Sequence, residues 1–166
     1  MTTLDHVVWD FLVSHRSSLL TSVIVPFSVW SAPRYVFVLL CVVAAWHRRF
    51  STLIPGILAL VASPLLKYLF ARPRPPLAEQ LVHHFDGAMP SGHALMAGAV
   101  AMLVWLNLGW RWGSIAWSWA LAVAFSRLYL GVHWLTDVVV GLVLGALLTL
   151  GCHKTQLMFG KTHTEE

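Results

Sequence analysis

Charge is what this sequence has least of. Its 166 residues include 11 Lys or Arg and 7 Asp or Glu, 11% in all, against 58% hydrophobic residues. A soluble domain carries roughly a quarter charged residues, so the scarcity excludes one and puts the chain in a membrane. The net charge is only +4 and the basic residues are dispersed. That excludes a nucleic-acid-binding surface and leaves them as topology signals and anion ligands. Cysteine is nearly absent too. Cys41 and Cys152 each sit in an apolar run, so no disulfide framework is expected and both read as small buried hydrophobes. Also missing is the basic-then-apolar start of a cleaved leader. Asp5 and Asp10 precede any apolar run, so the N-terminus is expected to be kept.

What is present is a series of apolar runs. Residues 4–16 mix apolar and polar positions and read as a short interfacial helix. Runs follow at 19–30, 33–46, 52–70, 90–108, 113–129 and 132–152. The first two are short for a straight span, which needs about 20 residues. Pro55 and Pro64 are expected to kink the third. Residues 72–89 are the one polar loop of any length. No repeat or linker divides the chain, so residues 1–166 read as one domain. The expected fold is all-α: a polytopic membrane bundle of about six transmembrane helices with an N-terminal interfacial helix.

With the N-terminus inside, six spans leave Arg16, Arg48, Arg49, Arg111, Lys154 and Lys161 on the inner side. Arg34, Lys67, Arg72, Arg74 and Arg127 fall outside, and an inner excess remains once three of these are taken as anion ligands. The expected location is therefore the cell membrane, multi-pass, with the polar segments facing the outer, periplasmic side. Trp105, Trp110, Trp112, Trp117 and Trp119 gather around one turn, as an interfacial belt does.

Three polar segments interrupt the apolar sequence: residues 67–75, 88–94 and 126–137. A bilayer makes such residues costly, so each is a functional candidate. His133 and Asp137 are four apart, with Gly141 and Gly145 continuing the same helical stripe. Asp137 needs a partner, and a carboxylate on one ring nitrogen of His133 fixes the tautomer and makes the other a better nucleophile. The alternative is a His that merely satisfies a bundle contact. Pro90, Ser91, Gly92 and His93 open another run, with free N–H groups suited to an anion. Ser91 alone would read as an ordinary cap. The small residues Ala94, Ala97, Gly98 and Ala101 allow close packing against the glycine stripe, which would bring His93 opposite His133. Lys67, Arg74 and Arg127 then converge as ligands for a phosphate. Arg34 and Arg72 are read as snorkelling side chains. His83, His84 and Asp86 are read as a solvated loop, the alternative being that they tune headgroup choice or gate entry to the site. With one close carboxylate, a metal site is not expected.

The patterns Lys67-x6-Arg74-Pro75, Pro90-Ser-Gly-His93 and Ser126-Arg127-x5-His133-x3-Asp137 resemble the three signature motifs of the type 2 phosphatidic acid phosphatase (PAP2) superfamily. The resemblance implies a lipid phosphatase that needs no metal or other cofactor. In it His133 would form a phosphohistidine, Asp137 would orient that ring, and His93 would protonate the leaving oxygen. Lys67, Arg74, Arg127, Ser91 and the Gly92 amide would hold the phosphoryl oxygens. Its partners would be membrane lipids and a lipid phosphate substrate: undecaprenyl diphosphate, phosphatidylglycerophosphate, phosphatidate or a polyprenyl-phosphosugar phosphate. A lipid phosphotransferase and a non-catalytic lipid-phosphate binder or translocator are the alternatives on the same scaffold.

Overall fold

A computed structural model describes the backbone of residues 1–162 and the side chains of residues 1–155. The described residues form seven α-helices and two short 3-10 turns, at Phe50–Leu53 and Leu77–Glu79. The helices are α1 (Thr3–Ser14), α2 (Ser18–Trp30), α3 (Pro33–Trp46), α4 (Ile54–Phe70), α5 (Gly92–Leu108), α6 (Trp110–Tyr129) and α7 (Leu135–Thr162). Each apolar run is thus helical, and so is the N-terminal segment. Large apolar side chains such as Leu19, Trp30, Val61 and Leu69 stand exposed along α2–α4, as lipid-facing positions do.

The bundle is built on α5. Its most extensive contacts are with α7 and α6, and α4 packs on its remaining side. Close approach to α7 requires glycine. A Cβ on Gly145 would lie 2.1 Å from the Leu95 carbonyl oxygen, and one on Gly98 would lie 2.3 Å from that of Leu142. The small-residue seam expected between these two runs is therefore present. Cys41 and Cys152 are free and half-buried rather than fully covered. Trp105, Trp110 and Trp112 are exposed near the α5–α6 turn, whereas Trp117 and Trp119 pack partly against the core.

The path of the chain differs from the expected one at its start. α4 and α7, with spans at Phe50–Phe70 and Leu135–Thr155, are individually long and apolar enough to cross a membrane. α2 and α3 meet that test only together, across a 53° bend. The beginning of α2 lies beside the end of α6: Ser17 N and Thr21 Oγ1 bond to the Tyr129 hydroxyl. Arg16 donates to the carbonyls of Tyr129 and of Glu79 in the loop after α4. α2 stays beside the end of α6 along its length: Ile24 packs with Tyr129 and Leu130, and Ser28, near its C-terminus, accepts from Arg127. The chain starts at the end of the bundle where Lys67, Ser91, Arg127 and Asp137 lie, so Arg16 belongs to that end and not to the opposite one. The physical reason is length: α2 has 13 residues, too few to span alone. Lys161, assigned to the opposite side, lies beyond the described side chains.

Candidate active site

The third polar segment folds differently from a continuous helix. α7 begins at Leu135, so His133 precedes it and Asp137 sits in its first turn. Asp137 is fully buried, and each of its oxygens has a donor. Oδ2 accepts from Trp134 N at 2.8 Å, tying down an orphan donor of the helix start. Oδ1 accepts from Arg72 Nη1 at 2.6 Å. His133 Nδ1 faces Oδ2 at 3.6 Å, an ion-pair distance and too long for a hydrogen bond. Nδ1 has no other partner, while Nε2 stands 3.3 Å from Arg74 Nη1. A guanidinium only donates, so Nε2 is the accepting nitrogen and the ring proton is on Nδ1, toward Asp137. His133 and Asp137 thus face each other, and the acid also serves a helix start and an arginine.

The cations converge. Arg74 reaches the Val132 carbonyl at 2.6 Å, beside the His133 ring. Its other nitrogens bond Asp86, at 2.7 Å to the carboxylate and 2.8 Å to the carbonyl. Lys67 Nζ meets the second oxygen of the same carboxylate at 2.5 Å. Arg127 is buried; it donates to Ser28 Oγ and, at 2.9 Å, to His84 Nε2. The left-handed turn at Ala71, φ 43°, ends α4 and lets Lys67 and Arg74 serve one site. A cavity of about 460 Å³ opens beside them, lined by Lys67, Arg74, His84 and Asp86 among others.

Ser91 occupies the N-cap position of α5 without capping it. Its N–H donates to the Asp137 carbonyl, and its buried Oγ has no partner. A buried orphan hydroxyl at a helix start suits an anion that the protein binds transiently. Gly92 follows, and a Cβ there would meet Ser63 Oγ at 2.7 Å. His93 is half-buried on the first turn of α5; it faces the Ser28 backbone and lies within electrostatic reach of Arg127, His84 and Lys67. His133 feels the charges of Arg74, Arg127, Lys67 and His93. All eight residues singled out from the sequence thus gather at one end of the bundle.

Two readings from the sequence are corrected. Arg72 does not snorkel: its guanidinium bridges two buried carboxylates, Asp137 and Asp5, the latter at 2.8 Å. Of the loop residues, His83 is exposed as expected, but His84 and Asp86 are not merely solvated. Asp86 is tied to Lys67 and Arg74, which outweigh burial and hold its carboxyl down at about 2. His84 is pushed down to about 4 by burial and then by Arg127 and Arg74, in keeping with its acceptor role toward Arg127. Among the sequence signals, an acid amid so many cations pointed to Asp86. Ser28, shared by Arg127 and His93, carried no signal.

The comparisons with known proteins bear on the family. A family profile described as PAP2 superfamily matches residues 50–161. An undecaprenyl-diphosphatase of Sulfolobus acidocaldarius is 37% identical over 99 residues, covering 54% of this chain and 46% of the relative. A putative undecaprenyl-diphosphatase, YbjG of Escherichia coli, is 35% identical over 107 residues, covering 61% of this chain and 52% of the relative. The chain thus spans about half the length of these curated relatives. The crystal structure of a transmembrane PAP2-type phosphatidylglycerolphosphate phosphatase from Bacillus subtilis superposes with a TM-score of 0.79 at 27% identity, covering 93% of this chain and 85% of that one. With more than half of its residues matched by the family profile and its motif residues assembled in space, the chain belongs to the PAP2 superfamily.

Proposed function

We propose that this chain hydrolyses the phosphate monoester or diphosphate of a membrane lipid, through a phosphohistidine and without a metal ion. The observation that carries the reading is the oxyanion already held at the site. The Asp86 carboxylate is shared by Lys67 and Arg74, and Arg74 also faces His133 Nε2. A phosphoryl group replacing that carboxylate would meet the same cations, with Arg127, Ser91 Oγ and the Gly92 amide for its other oxygens. Phosphoryl transfer asks mainly for positioning and charge neutralisation, and this cluster offers both.

In the proposed reaction the Nε2 lone pair of His133 attacks phosphorus and a P–N bond forms. The P–O bond to the lipid breaks, and His93 gives its proton to the leaving oxygen. Asp137 steadies the Nδ1–H and the positive charge that the ring acquires. Water then attacks phosphorus, yields a proton to His93, and frees the ring and inorganic phosphate. The names of the curated relatives favour an undecaprenyl-diphosphate-like substrate.

The site is proposed to open on the non-cytoplasmic face of the cell membrane. Supporting this, four exposed basic residues, Arg48, Arg49, Arg111 and Lys154, lie toward the opposite end, against Arg34 at the start of α3. An outward mouth would let the lipid tail stay in the leaflet while the headgroup enters. In detergent, His133→Ala is expected to abolish phosphate release from lipid diphosphates while leaving the melting temperature unchanged, and chelators are expected to leave the unmutated enzyme active. Substantial turnover by a folded His133→Ala protein would overturn the reading.

A further inference from the structure

The motifs leave one cluster unused: the buried charges that tie the N-terminal helix to the first turn of α7. Asp5 is fully buried although it lies on a short helix at the edge of the bundle. Its Oδ1 accepts from Thr136 N at 2.9 Å and its Oδ2 from Arg72 Nη2 at 2.8 Å. Thr2 N, at 3.0 Å, completes the cap of α1 on the same carboxylate. Arg72 Nη1 continues to Thr136 Oγ1 at 2.5 Å and Asp137 Oδ1 at 2.6 Å. The guanidinium therefore forks, one nitrogen to each acid. The hydroxyl of Thr136 accepts from Arg72, which leaves its own proton for Asp5.

We propose that Asp5 and Arg72 are positioning residues that set the Asp137 carboxylate against the reacting imidazole, so that α1 forms part of the catalytic apparatus. This rests on His133 being the nucleophile. With Oδ1 held by Arg72 and Oδ2 by Trp134 N, the carboxylate has no freedom to turn away from His133 Nδ1. Charge points the same way. Two buried acids share one guanidinium, so one negative charge stays uncompensated beside the ring that becomes positive during transfer. Without Asp5, Arg72 would neutralise Asp137 alone. Without Arg72, two buried carboxylates would repel each other with nothing between them. A lysine cannot replace the fork, because a single ammonium does not present two parallel donors to two acids.

The test uses the full chain in detergent with a lipid diphosphate, each rate being normalised to folded protein. Arg72→Gln and Asp5→Asn are expected to lower kcat by about 10–100-fold, as loss of a supporting partner does, with KM within about threefold. Arg72→Lys should recover part of the loss. The double variant should be no slower than Arg72→Gln alone, because the two act through one carboxylate. Wild-type kcat in the folded single variants overturns the proposal, as do losses that multiply in the double variant or fall on KM alone. Should Arg72→Gln not fold, Asp5→Asn and Arg72→Lys carry the same decision. Failure of all three to fold would mark the pair as purely structural and overturn it too. Inactive His133→Ala beside fully active Asp5→Asn and Arg72→Gln sinks only this proposal, whereas active His133→Ala sinks the reading beneath it.

Discussion

The two ends of the bundle carry similar numbers of basic residues but use them differently. At the site end Arg16, Arg72, Arg74 and Arg127 are at least half-buried, and each donates to a named oxygen or ring nitrogen. At the other end Arg48, Arg49, Arg111 and Lys154 are exposed. A charge free in the headgroup region costs little and contributes mainly to orientation. A charge taken out of water survives only with partners, and those partners fix its direction. The difference shows what separates a topology signal from a binding site: the geometry around a charge and not its sign.

Substitution should expose this difference, and it gives the largest effect expected. In the proposed reaction Arg74→Gln removes a donor for the phosphoryl group, worth about 2.7–4 kcal/mol of barrier, so kcat should fall by about 100-fold or more. Arg111→Gln, at an exposed residue packed over the Trp110 ring, should leave kcat within about twofold. Steady-state phosphate release from both purified variants decides the matter. Equal losses would erase the contrast between the ends.

The same contrast explains how far the sequence could be read. Lys67, Arg74, Ser91, His93, Arg127, His133 and Asp137 were visible because charge and histidine are conspicuous in apolar sequence and their spacings match three known motifs. Asp5 and Arg72 were not, because their bond joins positions 67 residues apart and α1 resembled any amphipathic edge helix. The available clue was energetic: an acid and an extra arginine near one buried site both need partners. The N-terminal path is not legible because residues 19–30 are apolar but short for a straight span, and a count of six spans needs them to cross. The contacts of α2 with Tyr129 show it beginning at the site end instead.

A smaller effect should divide α7 along its length. Gly145→Ala would push a Cβ onto the Leu95 carbonyl, whereas nothing lies within 4 Å of a Cβ at Gly151. Overpacking costs about 1–3 kcal/mol, while alanine replacing an exposed helical glycine gains up to about 1 kcal/mol. The melting temperature in detergent should drop for the first variant and hold or rise for the second. A Gly145→Ala protein as stable as the wild type would mean that the α5–α7 seam can spread, and that the positions of Ser91 and Asp137 are less rigidly coupled than their contacts suggest.

The smallest effect concerns the loop that closes the site end. His84 titrates near 4 in the folded chain, against 6.5 for the free side chain, through burial and the neighbouring Arg127 and Arg74. A depressed histidine opposes folding in acid: below pH 6.5 the unfolded chain takes up a proton that the folded chain refuses. The penalty should grow from pH 6.5 to about 4 and then level off. Asp86, held at about 2, acts in a separate window. Its pairing with Lys67 and Arg74 is complete above pH 3.8 and is lost as pH falls through 2, and it is weakened because the carboxylate is half exposed. His84→Gln keeps an oxygen that accepts from Arg127 and removes the titration. Its melting temperature should therefore fall less steeply than the wild type's between pH 6.5 and 4, with the two curves parallel below 4. Tryptophan fluorescence, from nine residues, reads both curves. Identical slopes above pH 4 would mean that neither burial nor Arg127 presses on His84, and that the loop stands off the cations.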